Sequence, residues 1–408
     1  MRILLVNKYW RRLGGVEEYC FHLKDVLEEL GHEVVPFAQL EKDTLDVPSR
    51  EYFVPEVDPT APGARQRLRT ARRAVLGDET TRAIQRLLEA EQIDAAHVVH
   101  SHHQLGPMFM RELRRQGIPT LLSVHDYKLS CPSYRLLNDV TQQICTICLD
   151  EPRRRITAPG QTRCWRGSRA GGIILGVEAA AVMAMKPYNV ASRVLVSNEL
   201  MQRNALAAGI EADRIKIVPN FWPAPTAPPD RSPGCHVLYV GRLVVEKGVD
   251  VLIRAAALSG VAVRIVGTGR LEAQLKDLAE SLSAPVEFVG TAWGSAAEAE
   301  MLAAAALVVP SIWHEVSPLV IYQAMTLGVP VVGTQVGGVP DLLGTDRGVM
   351  VKPGDVDALA AELCNAICDK ERFTKMGKEA MEYSRLELSR SKFVERLSMA
   401  YAEAGVPL

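Results

Sequence analysis

The chain predicts an α/β protein built of two doubly wound, Rossmann-like domains, and three observations carry that prediction. Short apolar runs of strand length alternate with helix-length segments from end to end, the pattern of a parallel sheet covered on both faces. The alternation occurs twice, on either side of Phe221 to Gly234 (FWPAPTAPPDRSPG), whose five prolines exclude both helix and central strand. The 408 residues, 48 % of them hydrophobic, are enough for two separate cores.

Taken in order, Met1 to Asn7 (MRILLVN) reads as the first strand and Val16 to Leu30 as a helix. Val34 to Phe37, Ala96 to Val99, Thr120 to Val124, Val194 to Val196 and Ile215 to Val218 follow as strands. The second half repeats the pattern at Val237 to Val240, Arg264 to Val266, Val286 to Val289, Leu307 to Val309, Val329 to Val332 and Val349 to Lys352. The expected division is a first domain over 1–222, with a Cys- and Arg-rich insertion near 128–172, a linker over 223–234, and a second domain over 235–388. A final helix, Ser389 to Glu403 within 389–408, either closes the second domain or crosses back onto the first. Two such sheets are expected to place a cleft between their carboxyl strand ends, where ligands of these folds bind.

The formal net charge of -1 argues against a general nucleic-acid binder. The first 220 residues are mildly positive, with about 30 basic against about 26 acidic side chains. MRILLVNKYW turns polar too quickly for a signal peptide. The longest apolar run, Gly171 to Met185, contains Glu178 and falls short of the ~18 residues of a membrane span. A cytoplasmic protein is expected, with peripheral contact to a membrane left open.

The densest chemistry lies in Pro310 to Gly338, PSIWHEVSPLVIYQAMTLGVPVVGTQVGG. Glu315 precedes a short helix for which Ser317 is the expected cap and Pro318 the first-turn residue, running from Leu319 to a stop at Gly328. A carboxylate for hydroxyls then stands beside free amides suited to an anion. In Val240 to Gly248, VGRLVVEKG, Arg242 and Lys247 follow a strand end, placed to clamp a diphosphate or simply to face solvent. Gly267 and Gly269 occupy a second strand exit, IVGTG. In the first half, Gly14-Gly15 opens a helix but makes no G-x-G-x-x-G fingerprint, which argues against a nicotinamide cofactor.

Cys131, Cys145, Cys148 and Cys164 fall in one irregular segment, two of them as C-x-x-C, and suit either a four-thiolate structural zinc site or reduced loop thiols. Cys364 and Cys368, one helical turn apart, read as core residues. From Arg153 to Arg169 the same insertion carries Arg153, Arg154, Arg155, Arg163, Arg166 and Arg169 and no acid, and Arg65, Arg67, Arg69, Arg72 and Arg73 make a second basic run. Such runs are either solvated faces or contacts for a phosphorylated acceptor or an anionic membrane. His97, His100, His102 and His103 read as a strand terminus lining the acceptor side rather than as a metal site.

The order and spacing of GGVEEY, GHEVV, SVHDY, IVPN, VGRLVVEKG, IVGTG, VEFVG, PS-x-x-x-E, AMTLGVPVVGT and GGVPDLL resemble the retaining glycosyltransferases of family four, with the GT-B fold. The resemblance covers most of the chain. It implies transfer of a sugar from a nucleotide diphosphate sugar (UDP-, GDP-, ADP- or dTDP-linked) to a glycan, lipid-linked or small-molecule acceptor, with no cofactor or metal required for catalysis. It assigns Arg242 and Lys247 to the donor diphosphate, His125 to the donor sugar and Glu315 to sugar hydroxyls. Gly14, Gly15, Gly267, Gly269 and the helix start at Ser317, Pro318 and Leu319 would approach the phosphates or the acceptor. The family's second glutamate is Gln323 here, which weakens ribose binding or suits a donor lacking one hydroxyl. A binding homologue without turnover, a phosphorylase and an epimerase stay open as alternatives.

Overall fold

The computed structural model describes residues 1–57, 69–70, 72–73, 75–225, 229, 231 and 234–408. Arg65 and Arg67, and residues 226–228, 230, 232 and 233 of the Pro-rich segment, lie outside the described residues.

The first six strands are β1 (Arg2–Tyr9), β2 (Glu33–Gln39), β3 (Ala95–Val98), β4 (Thr120–Ser123), β5 (Arg193–Val196) and β6 (Ile215–Ile217). They form one parallel sheet in the order β2-β1-β3-β4-β5-β6. The second sheet contains β7 (His236–Val240), β8 (Ala262–Val266), β9 (Val286–Gly290), β10 (Ala306–Val309), β11 (Val331–Thr334) and β12 (Gly348–Val351), in the order β12-β11-β10-β7-β8-β9. Every paired strand runs parallel to its neighbour. Parallel sheets must be covered on both faces, which is why Ile3 to Val6 and Ala306 to Val308 are buried without alternation.

All twelve strands coincide with apolar runs in the sequence. Each sheet reverses its strand order once, between β1 and β3 and between β7 and β10, and ligands of open parallel sheets gather outside such points.

Contacts divide the chain into two compact units. One comprises Met1–Thr141, Cys145–Val218 and Val394–Leu408; the other comprises Gln142–Ile144 and Pro219–Phe393. Most of the last helix, Arg390–Glu403, therefore belongs with the first sheet although the second precedes it in sequence. Glu403 pairs with Arg193 and Lys216 at 2.9 and 2.7 Å. Deeper in, the Tyr401 hydroxyl meets His97 Nδ1 at 2.9 Å, His97 Nε2 meets Ser123 Oγ at 2.8 Å, and Ser123 meets the Tyr19 hydroxyl at 3.0 Å. This buried polar chain leaves few alternative seats for the helix, because each member satisfies the next.

Two local expectations need correction. Cys368 is exposed and Cys364 only half-buried, so the pair is not core. The stretch Arg169–Val190, made of the helix Arg169–Met185 and a separate short turn beyond the left-handed Lys186, counts as a candidate membrane span by length and composition only when the two are taken together. Glu178 does not interrupt it, because that carboxylate is buried against Lys128 at 2.8 Å and His103 at 3.4 Å.

Tyr401→Ala is expected to lower unfolding free energy by about 3–5 kcal/mol, the usual cost of emptying a buried aromatic site. Tyr401→Phe should cost about 1–3 kcal/mol, since it orphans His97 Nδ1. Urea titration of both variants checks this, and a loss below about 1 kcal/mol in the alanine variant would be incompatible with that docking.

Candidate functional site

In the second unit the predicted residues gather at the strand-order reversal. The turn after β7 supplies Gly241 and Arg242, and the short turn Val245–Lys247 brings in Lys247. The loop after β10 supplies Ser311, Trp313 and Glu315, and the loop after β11 supplies Gly337 and Gly338.

Glu315 is the centre. Its side chain is buried, accepts from Lys247 Nζ at 2.7 Å and from the Ser311 hydroxyl, and its carbonyl accepts from Gly338 N at 2.7 Å. Burial alone would raise the Glu315 carboxyl, but the Lys247 ammonium and the Ser311 hydroxyl outweigh it and hold the pKa below the ordinary value. The residue is therefore a carboxylate at neutral pH. Gly337 has φ +57°, and a Cβ there would collide with the Glu315 carbonyl, so only glycine lets this loop pass. Gly267, at φ +143°, packs equally tightly on the Gly241 carbonyl.

Lys247 thus carries one bond to Glu315 and keeps two N–H donors for something else. Arg242 differs: its side chain is 64 % exposed and lies 3.9 Å from Glu246, leaving the guanidinium open to a ligand.

The helix Leu319–Thr326 forms as expected, with Gly328 left-handed beyond its end at φ +64°. Its start is different. Pro318 occupies the cap position with no side-chain cap bond, and Ser317 is not a cap. The Ser317 hydroxyl is engaged by Asn220 Nδ2 at 3.0 Å and by the Tyr322 hydroxyl at 2.9 Å. That leaves the first amides, those of Leu319 and Val320, without a preceding carbonyl, as at any helix start. Gln323 lies one turn further along the same helix and is half-buried.

In the first unit, Gly14 and Gly15 open the helix Gly15–Glu29. Gly14 is extended, φ -171°, and a Cβ there would meet nothing nearer than Glu17 Oε2 at 3.5 Å. Packing around Gly14 does not by itself demand a glycine, since a Cβ would make only an ordinary contact.

His125 follows β4 and packs against Tyr19, with ring centres 4.1 Å apart and planes tilted by 54°. Burial lowers its pKa to about 4 even though Asp126 raises it, so the imidazole is neutral; its Nε2 has no hydrogen-bond partner among the described residues. Next to it lies a cluster whose histidines the sequence presents as a strand terminus lining the acceptor side rather than as a metal site. Asp126 meets His100 Nε2 at 3.0 Å and His102 Nε2 at 3.1 Å, and accepts from Lys128 N at 2.9 Å. These two histidines and Asp126 are the one set among the described residues with three ligand atoms within 4.8 Å of one another. Direct His–Asp hydrogen bonding already satisfies the carboxylate, whose pKa lies far below the ordinary value because the histidine contacts outweigh its burial.

The four insertion cysteines line one small pocket with Ser133, Leu137, Ile147 and Thr162, and none is in a disulfide. Cys131, Cys148 and Cys164 are buried, yet no three of the four sulfurs lie all within 4.8 Å of one another. Arg155, counted with the basic run, is buried and donates to the carbonyls of Cys148 and Ala207 at 3.1 and 2.8 Å.

Ser311, Trp313, Gly337, Tyr19 and Asp126 were not singled out from sequence. SVHDY contains Asp126, but nothing local announces its histidine partners more than twenty residues upstream.

Two pH and mutation effects follow from these geometries. Lys247→Ala should cost about 3 kcal/mol by leaving Glu315 charged and uncompensated, and adding Glu315→Gln should restore much of it. Additive losses in urea titrations would contradict the pairing. His97 (about 3), His100 (about 3) and His125 (about 4) all titrate below their unfolded value of 6.5, chiefly through burial. The unfolded chain therefore binds more protons, and stability present above pH 6.5 should fall as pH drops from 6.5 toward 4. NMR titration of the histidine rings checks this; a His125 midpoint near 6.5 would refute it.

Residues 14–220 match the family described as "Glycosyl transferase 4-like domain", and residues 231–383 match "Glycosyl transferases group 1". The chain is 31 % identical to the sulfoquinovosyl transferase SQD2 of Arabidopsis thaliana over 36 % of this chain and 29 % of that protein. It is 32 % identical to a GDP-mannose-dependent phosphatidylinositol monomannoside mannosyltransferase of Corynebacterium glutamicum over 38 % of this chain and 44 % of that one. The aligned segments thus span less than half of each relative. Among solved structures, sucrose-phosphate synthase of Thermosynechococcus elongatus superposes with TM-score 0.71 at 19 % identity, covering 98 % of both chains. HepE of Anabaena, in complex with UDP and glucose, gives TM-score 0.69 at 18 % identity over 98 % of this chain and 99 % of that one. With two six-stranded parallel sheets and a family match over half its length, the chain belongs to the glycosyl transferase 4-like family and has the GT-B fold.

Proposed function

We propose that this chain is a retaining glycosyltransferase that moves a sugar from a nucleotide diphosphate sugar to an acceptor hydroxyl without a catalytic metal. The observation that carries the reading is the pairing of half-buried Lys247 with buried Glu315 at the strand-order reversal of the second sheet, with an exposed Arg242 beside it. Lys247 and Arg242 offer cations to a diphosphate, the amides at Leu319 and Val320 offer donors to the same charge, and the Glu315 carboxylate accepts from sugar hydroxyls.

In the proposed step the bond from the anomeric carbon to the diphosphate oxygen breaks while the acceptor oxygen bonds to the same face. The acceptor's proton passes to the departing phosphate oxygen, so no enzymic nucleophile is required. The two cations stabilise charge that grows on the leaving group, which is where fixed electrostatics contribute most. In the first unit, neutral His125 keeps a buried Nε2 without a hydrogen-bond partner among the described residues, a nitrogen suited to a sugar hydroxyl. Gln323 gives a ribose a neutral acceptor in place of an ionised one.

A panel of UDP-, GDP-, ADP- and dTDP-sugars, scored by nucleotide release, tests the reading. One donor should be cleaved, Arg242→Ala should lower kcat by about 10–100-fold with folding unchanged, and Gln323→Glu should tighten a ribonucleotide donor about ten-fold. Donor binding without release by either the parent chain or Gln323→Glu, with acceptors supplied, would favour a binding homologue instead.

We also infer a structural zinc at Cys131, Cys145, Cys148 and Cys164. Four thiols with no disulfide share one pocket in an irregular stretch that has little regular structure of its own to hold it. They are soft donors of the kind zinc takes, and binding would draw the sulfurs together as thiolates. Burial pushes the Cys148 thiol up, and the neighbouring cysteines push it further, which is the cost a cation would reverse. Protein purified without added metal should carry about one zinc per chain, lost in Cys148→Ser; near-zero zinc, or a thiol count showing disulfides, would refute it.

A further inference from the structure

The helix Arg169–Met185 buries one face and leaves the other bare. On its inner face Gly172 and Gly176 lie so close to the Pro159 and Ile156 carbonyls that a Cβ at either would collide with them. Leu175 and the paired Glu178 complete that face. Four-residue spacing puts Ile173, Ile174 and Val177 on the opposite side, 61, 56 and 58 % exposed, and Ile156 beside them is 45 % exposed. Ile156, Ile173 and Val177 line one open groove with Thr157 and Arg169.

Isolated exposed apolar residues are ordinary, but a contiguous stripe of β-branched side chains is not. Arg153, Arg163, Arg166 and Arg169 are exposed in the segment that leads into the stripe, and Arg154 is partly exposed. Among the described residues, the only acid paired with any of these five side chains is Glu151, at 3.8 Å from Arg154. At 17 residues the helix is about 25 Å long, short of a ~30 Å hydrocarbon core, and its inner face is committed to the protein. An apolar stripe with a cationic border lies in a membrane interface rather than across it.

We propose that this face docks the protein on an anionic lipid surface, with Ile173, Ile174 and Val177 entering the acyl boundary and Arg163, Arg166 and Arg169 among the headgroups. This goes beyond the transferase reading and does not rest on it, because docking is read without turnover.

Sedimentation of the full chain with phosphatidylcholine vesicles, with and without phosphatidylglycerol, tests the proposal. The parent chain should partition about ten-fold more strongly onto the anionic vesicles, and less so as salt is raised. Ile173→Asn/Val177→Asn and Arg163→Glu/Arg169→Glu should each weaken partitioning about ten-fold, while both keep the parent's circular dichroism. If a double variant fails to fold, the dependence on lipid charge and salt in the parent chain decides. Equal binding to neutral vesicles, no binding to either, or folded variants that bind like the parent would each overturn the proposal. So would light scattering that shows a dimer lost in Ile173→Asn/Val177→Asn, which would make a second copy the occupant.

Discussion

The second sheet is organised around one ionised carboxylate held out of water. Glu315 joins three strand exits at once: its side chain reaches Lys247 beyond β7, its hydroxyl partner Ser311 follows β10, and its carbonyl holds Gly338 beyond β11. Removing a carboxylate from water is expensive, and here an ammonium at 2.7 Å offsets the cost. The loops are therefore not free to rearrange independently, because moving any of them strands a charge. Gly337 is the corollary: a side chain there would push the loop off the Glu315 carbonyl.

That constraint also divides the labour between two cations that look equivalent in VGRLVVEKG. Lys247 is half-committed to Glu315, whereas Arg242 points into solvent with only a 3.9 Å contact to Glu246. Any anion arriving here shares Lys247 with the carboxylate but takes Arg242 outright. A half-buried lysine that already has a partner is pre-positioned at little further entropic cost, and an exposed arginine supplies the bidentate fork.

The fold was legible because parallel strands buried on both faces leave continuous apolar runs, and all twelve did so. In the candidate site, residues that the sequence singles out by local pattern, such as Glu315 and Lys247, come together in the fold. The site was not legible where partners are distant in sequence. Asp126 gains His100 and His102 from another strand exit, Glu178 gains Lys128 fifty residues upstream, and His97 gains Tyr401 from the end of the chain. Ser317 misled for the same reason. Serine before a proline and an apolar run is a good local cap signal, yet tertiary bonds to Asn220 and Tyr322 claimed its hydroxyl first.

Glu178 shows how a single pairing changes what a helix can be. As an unpaired charge it would argue that Gly171 to Met185 cannot face lipid at all. Paired with Lys128 and His103 it instead fixes which side of the helix faces the protein. Gly172 and Gly176 reinforce that choice by letting the backbone approach Pro159 and Ile156, residues of the same insertion that carries the cysteines. The cysteine pocket and the helix with the apolar stripe thus share one segment of chain. Ala158 and Thr162, which line the pocket, flank the backbone on which the helix rests. One short segment, 156–162, both lines the cysteine pocket and seats the helix that carries Ile173, Ile174 and Val177. The close approach of Gly172 and Gly176 to its carbonyls is what fixes which face of that helix stays bare.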